Sequence, residues 1–535
     1  MTDVVCGSTA VPECAVLIVG AGPTGLVLAI ELARRGIPFR LIDRLRQSVK
    51  WDRAIFIKSR TMEVFASLGL ADTFLQRGNL VQGIDLFSGA AHVAGYRFSV
   101  LDTPYPFIVS IPEDETEDIL TAHLQSLGGR VERGVEFVGL AQTDSGVRAR
   151  LRNEDTGECE IEAKWVVGTD GLHSAVREAV GDAFEGHDYP RLWGVVDSRM
   201  SGWRHPREIT CPQLEAPVVI PFPLGVDKWR IYFRADSSDA NPIRMVGKRL
   251  AVISPGVVLH DTEEPQFFHA HARVAHRYRI GRVLLAGDAA HASNPFEGHG
   301  MNSGIQDAFN LGWKLALVVS GKAPPSLIDS YEAERRPVGQ AIIESGDAAE
   351  ARIFSSAGEP KRELIAFLST PEGQAFAAMS EAELDFTYDK SPIVAEVGSQ
   401  QSAPSATAVG YRVGDATDLA GANGVNRLHQ LIAVPEHTLL FLLGDGAVSM
   451  TAEALTLLDT VMSRYPGCLR GYAVTRTGSA PDVHSLVWDK LGHLHERLGG
   501  NGPTLCLIRP DGHLGFRCAP SSLEALTNYF KRLFV

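Results

Sequence analysis

A glycine-rich turn between a buried strand and a helix constrains the fold of this chain more than any other feature. Residues 15–19 form a short apolar run rich in β-branched side chains, which predicts a buried strand. Gly20-Ala-Gly22-Pro23-Thr24-Gly25 follows at once, and apolar residues then recur at helical spacing as far as Gly36. A second apolar run ends in Asp43. The order therefore predicts strand, tight turn, helix, strand and acid.

Each residue of this pattern has a physical role at a dinucleotide site. Gly20 permits the tight turn, Gly22 lets the backbone approach a pyrophosphate, and Gly25 lets the helix pack close to the sheet. The free N–H groups of the helix N-terminus favour phosphate, and Asp43 is placed to accept a hydrogen bond from a ribose hydroxyl. The alternative is a glycine cluster that only packs a helix on a sheet. The complete context favours dinucleotide binding, without distinguishing NAD from FAD.

Size, charge and cysteine use narrow the class of protein. A chain of 535 residues is long enough for two to four domains. The net charge of -13 argues against a nucleic-acid partner and against an anionic membrane surface. The seven cysteines are scattered without a C-x-x-C pair, which predicts reduced thiols in a cytoplasmic protein and no zinc site. No signal peptide or transmembrane helix is predicted.

The residue pattern changes at four places along the chain. Residues 182–276 carry strand-like runs separated by prolines, and the apolar-strand-plus-acid pattern returns at 282–288. Residues 357–410 are weakly patterned, which predicts a linker or helical edge. Strands and helices alternate again over 411–535. The sequence carries no second glycine fingerprint after a strand, so it predicts a single dinucleotide-binding domain, interrupted by a β-rich insertion.

Three motifs in order resemble the single-component flavin-dependent aromatic hydroxylases, the family of p-hydroxybenzoate hydroxylase and phenol hydroxylase. The first is the turn at 20–25. The second is Gly168-Thr-Asp170-Gly171-Leu-His-Ser-Ala-Val-Arg177. The third is Leu285-Ala-Gly-Asp288-Ala-Ala-His291, followed by Pro295, Gly298 and Gly300-Met301-Asn302. The resemblance covers residues 13–345.

The resemblance implies an α/β fold with three parts. It implies a Rossmann-like FAD-binding domain of the glutathione-reductase type over 13–181 and 277–356. It also implies a β-sheet substrate domain over 182–276 and, beyond the 357–410 segment, a thioredoxin-like domain over 411–535. Because that last domain lacks C-x-x-C, we expect it to be structural or dimer-related, and a homodimer is possible.

The resemblance also implies a set of FAD ligands. Asp288 would bond the ribityl chain, Asp170 would lie near the pyrophosphate and the approach of NAD(P)H, and the 295–302 loop would pass beside the isoalloxazine ring. The candidate cofactor-binding residues are Gly20, Gly22, Pro23, Thr24, Gly25, Asp43, Arg44, Arg53, Glu113, Asp170, Asp288, Pro295, Gly298, Gly300, Met301 and Asn302. Arg53, or Arg60 nearby, would lie near the cofactor or substrate, the alternative being surface charge.

Three positions depart from the family pattern: Glu113, Glu297 and His299. Glu113 stands where the family usually has Gln, and a carboxylate there would repel flavin or phosphate unless it turns away or pairs with an arginine. Glu297-Gly298-His299-Gly300 replaces the usual Gly-Gly-Gln-Gly. His299 would be either a proton carrier or a neutral hydrogen-bonding residue close to the ring.

The resemblance implies hydroxylation of an aromatic substrate by FAD, O2 and NAD(P)H. NAD(P)H would reduce FAD, O2 would form a C4a-hydroperoxide, and its distal oxygen would go to an electron-rich ring, phenolic or polyketide-like. Arg230 and Tyr232, on one face of a strand, would hold the substrate hydroxyl, or would simply be a sheet-surface pair. Trp193, Trp203 and Phe222 would line the pocket or, more simply, the core. The sequence does not choose between NADPH and NADH.

Other functions remain open at this stage. The same scaffold could perform a Baeyer–Villiger insertion or an oxidative decarboxylation. A flavin halogenase lacks support, because Gly-Trp-x-Trp-x-Ile-Pro is absent from the sequence, and a disulfide reductase lacks its C-x-x-C and second fingerprint. A flavin-binding scaffold or sensor without turnover is the alternative of a different class.

Overall fold

The computed structural model describes residues 13–48, 54–211, 217–234, 241–294, 298–354, 358–398, 406–421, 424–444, 448–477, 484–499 and 502–535. Arg53, Pro295 and Glu297 lie outside these ranges. The elements of the first third are β1 (Glu13–Val19), α1 (Pro23–Ala33), β2 (Phe39–Asp43), β3 (Phe56–Ile57), α2 (Ser59–Ser67), α3 (Ala71–Arg77), β4 (Asn79–Val81), β5 (Gly83–Ser88), β6 (Ala91–Arg97), β7 (Ile108–Ser110), α4 (Glu113–Ser126), β8 (Val131–Arg133), β9 (Val135–Gln142), β10 (Val147–Asn153), β11 (Gly157–Gly168) and α5 (Ala175–Ala179).

The middle of the chain adds a second sheet and the long helices. Its elements are β12 (Phe184–Ser201), β13 (Glu208–Cys211), β14 (Val219–Pro223), β15 (Lys228–Arg234), α6 (Pro242–Ile253), β16 (Val258–His260), β17 (Gln266–Ala275), β18 (Arg279–Ile280), β19 (Val283–Leu285), β20 (His291–Ala292), α7 (Gly300–Val319), α8 (Asp329–Phe354), α9 (Gly358–Leu368) and α10 (Pro371–Glu381).

The last third is β21 (Ala395–Val397), β22 (Leu419–Gly421), α11 (Leu428–Ile432), β23 (His437–Leu442), α12 (Val448–Arg464), β24 (Leu469–Thr475), β25 (Leu486–Asp489), α13 (His493–Leu498), β26 (Thr504–Ile508), β27 (Leu514–Cys518) and α14 (Leu523–Leu533).

The first sheet has a parallel centre that carries the glycine turn. Its order is β18-β19-β11-β1-β2-β8, and β1 pairs in parallel with both β2 and β11. The antiparallel pair β9–β10 joins through β11. Val16, Leu17 and Ile18 of β1 are fully buried, as expected for a central parallel strand covered on both faces. The carboxyl ends of β1, β2 and β11 therefore meet at one edge, where the glycine turn and Asp43 lie.

The second sheet is antiparallel and has two different faces. Its order is β14-β15-β12-β17-β20, so the short β20, from the third motif, extends it. Alternation along β15 directs Ile231 and Phe233 into an apolar cluster with Val246 and Leu250 of α6. Tyr232 lies on the other face and belongs to the main core. That other face turns toward the first sheet.

The C-terminal third forms a seven-stranded sheet of order β21-β27-β26-β23-β24-β25-β22. Buried residues of α12 and α14 pack on one face, and those of α11 and α13 pack on the other. β21, from the segment predicted as a linker, pairs with β27 and so belongs to this sheet. In the part of the chain that the structure describes, no helix is both long and apolar enough to cross a membrane.

Buried ion pairs connect the C-terminal part to α7 and α8. Arg509 donates to both carboxylate oxygens of Glu334 at 2.7 Å, and Lys314 Nζ donates to the same carboxylate at 2.6 Å. Arg60 is buried and donates to Glu63 at 2.8 Å and to the carbonyl oxygen of Asp511. Arg60 therefore joins the two parts of the molecule.

Candidate active site

The first and third motifs touch each other through Thr24. A Cβ atom at Gly287 would lie 2.5 Å from Thr24 Oγ1, and one at Gly304 would lie 2.4 Å from it. Thr24 thus occupies a gap that exists only because both neighbours are glycines. The contact holds the N-terminus of α1 against the Asp288 turn and the first turns of α7, although these segments lie far apart in sequence.

The glycine turn has the close approaches that its sequence predicts. Gly20 has a φ of +103°, and a side chain there would overlap the carbonyl oxygen of Thr169. A side chain at Gly25 would overlap the carbonyl oxygen of Gly20. Gly22 is extended at the start of α1 and Pro23 occupies the first turn, where its missing N–H is not needed. The remaining N–H groups of that turn are available to an anion.

Two cavities lie along this edge of the first sheet. The larger is about 510 Å³, and the smaller, about 270 Å³, lies beside Asp43, Arg44 and Asp170. Both are lined by Gly22, Glu117, Thr169 and Gly171, so they meet at the N-terminus of α1. An elongated dinucleotide needs such a continuous path, with its phosphates at a helix N-terminus. The described residues therefore fit FAD.

The larger cavity also has a loop side and an aromatic side. Asp288 is exposed toward it, and Gly298, Gly300 and Met301 line it beyond Asp288. The part of the lining that comes from the second sheet includes Phe222, Tyr232, Phe268 and Ala270, together with His269 and His271. Phe222 packs edge-to-face on Tyr232 and on Phe56, at centroid distances of 5.3 and 4.7 Å. This wall can stack with a planar aromatic ligand.

Asp43 and Asp170 accept hydrogen bonds from the backbone near the smaller cavity. Asp43 accepts from the N–H groups of Ala21 and Leu45, each at 2.8 Å. Asp170 accepts from Ser174 Oγ at 2.5 Å and from the N–H of Val176 at 3.1 Å. Burial raises the pKa of Asp170. Asp170 thus fixes the start of α5, and it lines the cavity as it does so.

Two acids on α4 face the larger cavity. Glu113, the departure noted in the sequence, accepts from the N–H of Ala54 at 3.3 Å. Glu117 lies one helical turn later and near Gly22, 3.8 Å from a Cβ atom placed there. Burial, reinforced by the charge of Glu113, raises the pKa of Glu117 to about 8. Glu117 is not among the residues predicted from the sequence, although its spacing of four from Glu113 places both on one helix face.

Asn302 holds the segment before α7 in place and is not among the residues that line the cavity. The Asn302 side chain accepts from the N–H of Lys58 at 2.9 Å and donates to the carbonyl oxygens of Phe56 and Gly298, at 2.8 and 3.0 Å. Gly298 has a φ of +64°, which favours glycine. Asn302 therefore fixes the turn from which Gly298 and Gly300 face the cavity.

His299 lies among buried charged side chains and does not line the cavity. Its Nδ1 is 2.7 Å from Glu383 Oε1 and 3.0 Å from Lys58 Nζ. Neither Lys58 nor Glu383 was a candidate, because nothing in the local sequence connects them with residue 299.

Arg230 and Tyr232 have different surroundings on the same sheet face. Arg230 makes a bidentate pair with Asp197 on the neighbouring strand, at 2.7 and 3.0 Å, and does not line the cavity. Tyr232 does line it. Trp193 is a core residue, stacked under Arg234 at 4.5 Å. Trp203 packs on Trp229 away from the cavity, while Phe222 serves both core and cavity wall.

Two further side chains, absent from the candidate set, brace the Asp288 turn. Asp307 accepts from the N–H of Gly287 at 3.0 Å and is paired with Arg335 at 2.6 Å. Arg177, the last residue of the second motif, donates to the carbonyl oxygen of Ala289 at 2.8 Å. The three motifs therefore form one connected structure around the cavity.

Known proteins resemble this chain in sequence and in fold. The FAD binding domain family matches residues 13–345. The chain is 32% identical to pentachlorophenol 4-monooxygenase of Sphingobium chlorophenolicum, with 94% of each chain aligned. It is 32% identical to 6-methylpretetramide 4-monooxygenase of Streptomyces rimosus, over 96% of this chain and 92% of that one. The crystal structure of aklavinone-11 hydroxylase with FAD and aklavinone superposes with a TM-score of 0.78 and 26% identity, covering 98% of this chain and 99% of that one. The chain belongs to the family of FAD-dependent aromatic monooxygenases.

Proposed function

We propose that this enzyme hydroxylates an electron-rich, phenolic or polyketide-like aromatic ring, with O2 as oxidant and NAD(P)H as reductant. The observation that carries the proposal is the larger cavity, which is lined jointly by Asp288, by the 298–301 loop that runs into the first turn of α7, and by aromatic side chains of the second sheet. FAD, when bound, supplies the reaction with O2 that no side chain can perform. The relatives named for pentachlorophenol and for 6-methylpretetramide support this substrate class.

The proposed FAD contacts follow the two cavities. The α1 N-terminus at Gly22, Pro23 and Thr24 would hold the pyrophosphate, with Asp43 at the ribose and Arg44 at the exposed adenosine end. Asp288 would accept from the ribityl hydroxyls, and the backbone of Gly298, Gly300 and Met301 would approach the ring. Asp170 would act through the turn it fixes, near the entry of NAD(P)H. Arg53 and Pro295 remain predictions from the sequence alone.

Glu113 would contribute to the shape of the cavity without touching the flavin ring. Its carboxylate accepts from the N–H of Ala54, which gives it a partner away from the phosphates. The N–H of Ala54 and the α4 N-terminus both stabilise the negative charge. We therefore infer that Glu113 shapes the cavity wall.

The substrate would lie between the proposed flavin side and the second sheet. Tyr232 carries a hydroxyl on the aromatic wall and would hydrogen-bond the substrate hydroxyl. Arg230 would act through the sheet: the Asp197 carboxylate balances its charge, so it would position Tyr232 rather than meet the substrate. The apolar wall would also exclude water from the reacting centre.

We infer the division into domains that the sequence predicts: FAD-binding over 13–181 and 277–356, substrate sheet over 182–276, a connecting segment over 357–410 and a thioredoxin-like domain over 411–535. Support for the last assignment comes from β24-β23-β26-β27, in which β23 and β24 are parallel and the other neighbours antiparallel. A structural role, or a contact in a homodimer, fits its scattered cysteines. The five free thiols among the described residues fit a reducing compartment such as the cytoplasm.

The test is product analysis under ¹⁸O2 with a panel of phenols and aromatic polyketides, supplying NADH and NADPH separately. We expect substrate-stimulated NAD(P)H oxidation and one ¹⁸O atom per product. Tyr232→Phe should lower kcat/KM about tenfold or more, because one hydrogen bond to the substrate is lost. A yellow protein that oxidises neither reductant with any compound would instead support the non-catalytic scaffold, and ring insertion or loss of CO2 would show in the product masses.

A further inference from the structure

A cluster of buried charges stands directly behind the loop that lines the proposed flavin site. Lys58 Nζ lies 3.0 Å from His299 Nδ1, and Glu383 Oε1 lies 2.7 Å from the same atom. The side chains of Lys58 and Glu383 are fully buried, and His299 is 6% exposed. Charged groups are rarely buried this completely unless they are paired. The contacts among Lys58, His299 and Glu383 must therefore offset the cost of removing their charges from water.

The cluster draws on three separate segments. Lys58 stands between β3 and α2, and His299 immediately precedes α7. Glu383 follows α10, in a left-handed conformation with a φ of +58°. Since Gly298 and Gly300, on either side of His299, line the cavity, the His299 side chain anchors that loop from behind.

The two partners of Nδ1 make opposite demands on it. The Lys58 ammonium can donate to Nδ1 only when that nitrogen carries a lone pair. The Glu383 carboxylate can accept from Nδ1 only when that nitrogen carries a proton. One ring nitrogen cannot satisfy both at once, so the proton on Nδ1 decides which neighbour holds the loop.

The surrounding charges favour the protonated ring at lower pH. Glu381 lies 3.2 Å from Lys58 Nζ, and Gln306 donates to the far oxygen of Glu383. Asp385 also faces His299 and Glu383, and burial raises its pKa, which favours its neutral form. Lys58 thus faces the carboxylates of Glu381 and Glu383, and a positive imidazole balances the remaining negative charge.

We propose that His299 is a positioning residue whose protonation sets how firmly the 298–301 loop is held for FAD. When the ring is protonated, Nδ1–H donates to Glu383 and the loop is anchored on the α10 side. When the ring loses that proton, the loop exchanges this anchor for the Lys58 ammonium, and FAD binds more weakly. The inference rests on the proposed placement of FAD beside this loop.

His299→Gln provides a sharp comparison, because glutamine offers both functions at once. Its amide oxygen can accept from Lys58 while its NH2 donates to Glu383, whatever the pH. We expect the FAD dissociation constant of the wild type to rise between about pH 6 and about pH 8.5 by about fivefold more than that of His299→Gln. Glu117 adds its own pH dependence to both proteins, so the ratio of the two constants is the measurement.

A second measurement follows the His299 ring itself in the FAD-free protein, by NMR of histidine labelled at Cε1 and assigned with His299→Gln. Lys58→Met should move the titration midpoint of that ring up by about one pH unit, and Glu383→Gln should move it down. Lys314→Met, which removes a buried lysine further along α7, should leave it unmoved.

The two measurements separate the possible failures. If the His299 ring does not titrate between about pH 5 and about pH 9, the proposed role of its protonation is wrong, whatever the FAD dissociation constants are. The same follows if neither Lys58→Met nor Glu383→Gln moves its titration midpoint. If the ring titrates but the FAD dissociation constants of the wild type and of His299→Gln change equally with pH, then its protonation does not affect how the 298–301 loop holds FAD. Failure of the hydroxylation test alone leaves both measurements intact, so it concerns the reaction and not this cluster.

Discussion

The contact through Thr24 gives the most direct test of how the site is assembled, and Gly304→Ala is the change that probes it. The added methyl would lie 2.4 Å from Thr24 Oγ1 and 3.1 Å from the Cα atom of Gly287. The second of these atoms belongs to the backbone, so rotating the Thr24 side chain relieves only part of the overlap. The helix α7 must therefore move away from α1 and from the Asp288 turn.

The magnitude follows from two opposing effects. Overpacking a tight contact typically costs about 1–3 kcal/mol. Replacing glycine by alanine inside a helix returns about 1 kcal/mol. Because the overlap at 2.4 Å belongs to the upper half of the overpacking range, about 2–3 kcal/mol, the balance is a loss of about 1–2 kcal/mol for Gly304→Ala. This corresponds to a fall in melting temperature of about 2 °C for a cooperative unit of this size.

The assay is thermal unfolding of the FAD-free protein together with FAD titration. Gly304→Ala should melt lower and bind FAD more weakly, and the double variant with Thr24→Ala should recover stability relative to the sum of the single changes. Gly247→Ala is the matched control, because the nearest atom to its added methyl is 3.9 Å away and the helix gains stability. A Gly304→Ala protein as stable as the wild type, with purely additive effects of Thr24→Ala, would refute the reasoning.

Three further outcomes follow from the site. Asp288→Ala should purify nearly colourless, because it removes the carboxylate facing the cavity; a variant with full flavin absorbance contradicts that assignment. Glu117→Gln should bind FAD about fivefold more tightly than the wild type above about pH 8, where the wild-type carboxylate is charged beside the proposed phosphate site. Near about pH 6 the two proteins should bind FAD equally tightly. FAD affinities that change equally with pH in both proteins would contradict this prediction. Arg230→Met should cost about 3 kcal/mol of stability, because the buried Asp197 carboxylate loses its bidentate partner and keeps only Lys228 Nζ, 3.9 Å away. The double variant with Asp197→Leu should recover most of this loss, and equal losses in both variants would contradict this pairing.

The family and its cofactor could be predicted from sequence because they depend on local patterns. The strand, glycine turn and helix around residue 20 follow from apolar periodicity and from glycines that leave room for close approaches. The second and third motifs have fixed spacing within short segments, and the prediction of an FAD-dependent aromatic monooxygenase is confirmed by the family match and the relatives.

Other parts of the site could not be predicted, because charge pairing depends on strand register and helix packing. Alternation along β15 places Arg230 on the same sheet face as Tyr232. Only the register of β12 against β15 shows that Asp197 balances the charge of Arg230. The elevated pKa of Glu117 needs the burial that packing produces, and a list of acids along α4 contains no such information.

By itself, the sequence determined the strand, turn and helix around residue 20 and the motifs that indicate the family, since those properties arise within about ten to twenty residues. Only the tertiary structure decided what each charged side chain meets. Lys58 and His299 are 241 residues apart, and Glu383 is a further 84 beyond His299, yet the three share one buried space. Electrostatic energy depends on distance in space and on exclusion of water, and neither quantity exists until the chain has folded.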